Sequence, residues 1–78
     1  MLYEISQENR SEWLVEGFDP DVVEERMNAL LERWYPDAES LDDVDHYDVQ
    51  RAYEIAVEYP NEIATDIFMQ ILEARGKL

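Results

Sequence analysis

The chain has no cysteine, so neither a disulfide nor a thiolate-bound metal can hold it together. It has two glycines, Gly17 and Gly76, and therefore no glycine-rich loop to cradle a phosphate. Its one histidine, His46, has no second imidazole to complete a zinc site. No apolar run approaches the roughly 20 residues of a membrane span. The opening "MLYEISQENR" sets no basic region before an apolar one, so no signal peptide is expected and the cytoplasm is the expected location. The scarcest commodity is positive charge. Six Lys and Arg face 20 Asp and Glu, for a net charge of -14.

That imbalance excludes several functions. Small domains are comfortable at a net charge of about 2 to 8 in magnitude, and beyond that self-repulsion opposes compaction. Direct binding to nucleic acid or to an anionic membrane is disfavoured. A basic partner, a cation or a high-salt environment is favoured. The chain is nevertheless 46% hydrophobic and 12% aromatic, too apolar for a disordered acidic tail. Its 78 residues make one domain, spanning 1–78. Such a domain buries only roughly 60% of its unfolded surface, so its core is thin. A homodimer would enlarge that core while doubling the charged surface.

Periodicity points to an all-α fold, a compact bundle of three to four short helices. In "DPDVVEERMNALLERWY" Asp19 is an N-cap and Pro20 suits the first helical position. Val23, Met27, Leu30, Leu31 and Trp34 form one apolar stripe, which places Glu24, Glu25, Asn28, Glu32 and Arg33 on the wet face. Pro36 ends the helix. A second helix is expected over 46 to 59, with Val49, Ala52, Tyr53 and Ala56 inward and Ile55 and Tyr59 widening that face. Ser40 with Asp43, or Asp45 with Asp48, would cap it. After the break at Pro60, Ile63, Ala64, Ile67, Phe68, Ile71 and Leu72 give a wide apolar face, with Gly76 closing the last helix. Residues 1 to 18 admit two readings: a helix from 7 to 16 capped by Ser6, which we prefer, or a β-hairpin of "LYEIS" and "EWLVEGF".

The candidate functional residues are mostly carboxylates. Glu4, Glu8, Glu12 and Glu16 stand four apart, a spacing at which like charges repel on a helix. Four helical residues rise about 6 Å, close to the separation of neighbouring phosphates on a DNA strand. Such a ladder could enter the Lys and Arg pockets of a nucleic-acid-binding protein. Glu54, Glu58, Glu62 and Asp66 make an interrupted second ladder, and Asp37, Glu39, Asp42, Asp43, Asp45 and Asp48 crowd the connector between helices. A solvated face would normally mix Lys with Glu and gain from the pairing. The connector does not follow the spacing of a calcium-binding loop, because Leu41 falls where a ligand is needed and Asp42 where glycine is needed. No metal or other cofactor is expected, and no catalytic residue emerges: His46 has no nucleophile near it in sequence beyond Ser40. Trp34, Tyr53 and Phe68 lie on apolar stripes and are expected in the core. Tyr35, Tyr47 and Tyr59 sit at helix ends beside acidic runs, where Tyr47 and Tyr59 could anchor an interface.

The stretch "DDVDHYDVQRAYEIAVEYPNEIATDIF", 42 to 68, runs from paired Asp through an amphipathic helix and a proline break into "TDIF". It resembles the central helices of the Ocr-type antirestriction proteins of bacteriophages, which are acidic helical DNA mimics. The resemblance implies a small phage-type inhibitor, acting in the host cytoplasm on a basic nucleic-acid-binding protein. It does not separate antirestriction from anti-CRISPR or from inhibition of another nuclease. Two other readings fit the charge: an immunity- or antitoxin-like neutraliser of one basic protein, and a structural domain adapted to high salt.

Overall fold

A computed structural model describes residues 2–10, 17 and 19–78. Within them the protein is all-helical. Residues 7–10 are helical, followed by α1 (Pro20–Trp34), a 3-10 turn (Leu41–Asp43), α2 (His46–Ala56) and α3 (Thr65–Ala74). No residue among those described forms a strand. The second strand of the alternative hairpin reading lies almost wholly outside the described residues.

α1 is the axis of the molecule, and α2 and α3 each pack on it and not on one another. Asp19 caps it by accepting the Asp21 backbone N–H at 3.0 Å, and Pro20 begins it. Val23, Met27, Leu30 and Leu31 are fully enclosed, and Ala52, Ile55 and Ala56 of α2 and Phe68 and Leu72 of α3 close over them. Ile5 joins the same core from the N-terminal segment.

The burial of α1 departs from the expected single stripe. Glu24, Arg26 and Asn28 are buried as well. Glu24 and Asn28, expected on the wet face, are covered by residues 2–5, whose extended backbone runs along α1 and needs hydrogen-bond partners. Asn28 Oδ1 accepts the N–H groups of Leu2 and Tyr3 at 2.9 and 2.7 Å, and its Nδ2 donates to the Tyr3 and Glu24 carbonyls at 2.8 and 2.9 Å. Glu24 Oε1 accepts the Ile5 N–H at 2.9 Å.

Helix ends also differ from expectation. α2 stops at Ala56 instead of reaching residue 59, and α3 begins only at Thr65. Pro60 has no N–H for the Ala56 carbonyl, and the carbonyls left free in the intervening turn are taken by Arg26, as described below. α3 closes as expected: Gly76 has φ of 69°, its N–H reaches the Glu73 carbonyl at 3.1 Å, and Lys77 N–H reaches Leu72 at 2.9 Å. That pair of bonds is the Schellman motif. Trp34 and Tyr53, expected in the core, are only half-buried, while Phe68 is fully buried. Ile67, expected on the apolar face, is 46% exposed.

Candidate functional site: an acidic end of the bundle

Ser6 ends the extended N-terminal segment. Its carbonyl accepts the Arg10 N–H at 3.0 Å and its Oγ the Asn9 N–H at 3.4 Å. Glu4 therefore precedes the helical turn that carries Glu8, so this first step of the ladder is not a helical one; both side chains are exposed. Glu12 and Glu16 lie outside the described residues. The second ladder is split in the same way. Glu54 belongs to α2, Glu58 and Glu62 to the turn, and Asp66 to α3, and all are exposed.

The connector and the start of α2 carry Asp37, Glu39, Asp42, Asp43, Asp45 and Asp48. Three of them have local duties. Asp43 Oδ2 accepts the backbone N–H groups of Glu39 and Ser40 at 3.0 and 3.4 Å, holding the 3-10 turn. Asp45 caps α2 by accepting the Tyr47 N–H at 2.8 Å. Asp48 accepts the Tyr35 hydroxyl, and that hydrogen bond, with some burial, raises the Tyr35 pKa. Of the two caps expected for α2, Asp45 serves it, while Asp43 serves the turn before it. Asp37, Glu39, Asp42 and Glu54 are exposed, and their carboxylates bond to no described residue.

Tyr47 is 74% exposed at the start of α2, and with Gln50, Arg51 and Glu54 it borders a shallow hollow of about 100 Å³. The Arg51 guanidinium lies 4.5 Å from the Trp34 ring centroid. Trp34 in turn borders a wider hollow of about 350 Å³ with Tyr35, Pro36, Asp37 and Asp43. The Arg51–Trp34 stack thus joins the connector to the outer face of α2. Tyr59 is placed differently: it is half-buried, edge-on to Phe68 at 5.4 Å, and its hydroxyl accepts from Arg75 at 2.8 Å.

The sequence reading passed over a second acidic surface. Asp21, Glu25, Ala29 and Glu32 of α1, with Thr65, line a groove of about 410 Å³. The 21–25 spacing and the 25–32 spacing put these carboxylates on one side of α1, a signal hidden by attention to the apolar stripe. Arg26 was missed altogether, since an arginine inside an acidic run reads as a surface residue.

The six bases explain the surface. Arg26 is buried. Arg10 pairs with Asp21 at 2.5 Å and Glu24 at 2.7 Å, and these partners raise its pKa, that with Asp21 most. Arg51 lies over Trp34, Arg75 lies 5.6 Å from the Tyr59 ring centroid, and Lys77 is 3.6 Å from Glu58. Arg33 remains exposed in the last turn of α1.

Among the described residues, no three His, Asp or Glu side chains are arranged to hold a metal ion, and no helix is long and apolar enough to cross a membrane. Comparison with protein-family models, with curated proteins and with solved structures yields no match to this chain.

Proposed function

We propose that this protein is a non-catalytic acidic binding module that occupies the nucleic-acid site of a basic protein. In this reading it is a phage-type inhibitor that blocks a restriction, CRISPR or other nuclease complex of the host. The observation that carries the reading is the use of the scarce bases. Arg26 is buried, Arg10 and Lys77 are ion-paired, and the exposed Arg51 and Arg75 lie over aromatic rings, while Asp37, Glu39, Asp42 and Glu54 are exposed and bond to no described residue. Outward negative charge is left uncompensated on a folded scaffold, where binding costs less ordering entropy. Steering between opposite charges makes association fast and salt-dependent.

The test is capture from host lysate on the immobilised protein, eluted first with nucleic acid and then with salt. A nucleic-acid-binding complex displaced by nucleic acid is the expected result. Replacing Asp37, Glu39, Asp42 and Glu54 together by Lys abolishes capture, while each single change to Asn or Gln does little. These four hold no cap, so the variant keeps the fold. A folded fourfold variant that still captures the same complex overturns the reading.

Tyr47, 74% exposed among carboxylates, favours a second reading: a dedicated neutraliser of one basic protein with an aromatic anchor. A partner that resists both eluents but is lost on Tyr47→Ala selects it.

A further inference from the structure

We infer that Arg26 is a latch, and that the turn after α2 together with α3 forms a unit that this latch holds against α1 and can release while α1 and α2 stay folded. Arg26 is fully buried, yet no carboxylate among the described residues forms an ion pair with it. Its Nη1 donates to the carbonyls of Ala56 and Tyr59 at 3.1 and 3.2 Å, and its Nη2 to those of Pro60 and Ile63 at 2.9 and 2.5 Å. All four acceptors lie between the last residue of α2 and the first of α3. The guanidinium also lies 4.8 Å from the centroid of the Phe68 ring. One side chain of α1 therefore holds the end of α2, the whole turn and the first enclosed residue of α3.

The contacts elsewhere divide the chain at the same place. α2 has its own cap at Asp45 and its own seat on α1 through Ala52, Ile55 and Ala56. The backbones of α2 and α3 do not pack on one another, although Ala52, Ile55, Ala56, Phe68 and Leu72 share one core. The turn and α3 are bound to each other: Lys77 to Glu58, Arg75 to the Tyr59 hydroxyl, and Tyr59 edge-on to Phe68. Beyond Arg26 and the seat of Phe68 and Leu72 on α1, the turn is tied back by a bond from Asn61 Nδ2 to the Gly17 carbonyl at 3.2 Å. Residues 57–77 thus share internal contacts and meet the rest through Arg26, Asn61, Phe68 and Leu72, the backbone bonds of Val57 and Glu58 to Tyr53 and Ile55, and the partly buried Val57, Tyr59, Ile63 and Met69, a bounded set of the kind that delimits a cooperative opening unit. Two nitrogens of a planar fork reach two pairs of carbonyls at once; a lysine ammonium cannot span them. The three bonds to Tyr59, Pro60 and Ile63 are therefore made and lost together, while the one to Ala56 stays with α2. Release would uncover Phe68 and Leu72 and the α1 side chains beneath them. This inference is independent of the proposed inhibitor role.

Native-state hydrogen exchange on the whole protein in low urea tests it, read by NMR together with the Arg26 guanidinium hydrogens. The turn and α3 are expected to share one opening, about tenfold or more frequent than the opening that exposes α1 and α2. The Arg26 hydrogens are expected to exchange with that smaller opening. Arg26→Lys is expected to make it about tenfold more frequent again. A single opening for all three helices overturns the inference. So do Arg26 hydrogens that exchange only with α1, or a smaller opening unchanged by Arg26→Lys. The wild-type measurements decide the matter even where the variant does not fold.

Discussion

Asn28 satisfies four backbone groups with one side chain, and Glu24 a fifth. Both serve residues 2–5, a segment that pairs with no strand among the described residues and whose N–H and C=O groups would otherwise be left unpaired. The cost of losing such a bond exceeds the benefit of forming it, because the orphaned group keeps its full desolvation penalty. Asn28→Asp is the sharpest test. A carboxylate still accepts from Leu2 and Tyr3 but cannot donate to the carbonyls of Tyr3 and Glu24. The expected loss is about 2 kcal/mol, read as a lower urea midpoint at unchanged slope. An unchanged midpoint would mean that the N-terminal segment adds nothing to stability. Arg26 follows the same logic with a charge. Burial lowers its pKa, with Glu25 and Glu62 opposing, and four carbonyls replace the water lost by its two Nη groups, while Nε finds no partner among the described residues. None of these roles could be read from periodicity, which weighs only whether a residue is apolar. Glu24 and Asn28 lay on the polar side of α1 until another segment covered that side.

At the scale of elements, the ends that depend on a neighbouring residue were legible and the distant partner of a freed carbonyl was not. Asp19 with Pro20 starts α1, Ser6 starts the helical turn at 7–10, and Gly76 finishes α3, all as their residue types dictate. Near the end of α2, Pro60 supplies no N–H to the Ala56 carbonyl, and the partner that takes this freed carbonyl is Arg26, 30 residues away in the chain. Asp45 illustrates how a candidate site residue can also be a structural one. It caps α2. Asp45→Ala is expected to cost about 1 kcal/mol in thermal or urea unfolding, and Asp45→Asn only a few tenths. The Asn variant removes charge and keeps the cap, so it is the proper probe of any part this carboxylate plays in binding. Equal losses for the two variants would show that its charge, not its hydrogen bond, holds the helix.

At the scale of the molecule, the net charge of -14 is a standing load on a thin core. Screening should relieve it without being required for folding. Circular dichroism is expected to show full helix at about 0.01 M salt, where charges interact over about 30 Å, with a melting temperature that rises toward 0.15 M as that length falls to about 8 Å. Helix that appears only at molar salt would instead mark a salt-adapted domain and remove the main support for the inhibitor reading. By itself the sequence determined the helical class, the apolar seams of the helices, most of their caps and the sign of the surface. These follow from local backbone preference, from 3.6-residue periodicity and from a charge count that no fold can alter. Only the tertiary structure decided which polar residues enter the core and which side chain takes the carbonyls between α2 and α3. It also buried Arg26, paired Arg10 and Lys77 with carboxylates and laid the exposed Arg51 and Arg75 over aromatic rings, with Asp37, Glu39, Asp42 and Glu54 exposed. The reason is physical: a buried polar group must find its partner wherever the chain brings one, and for Arg26 and Asn28 that partner lies 25 or more residues away.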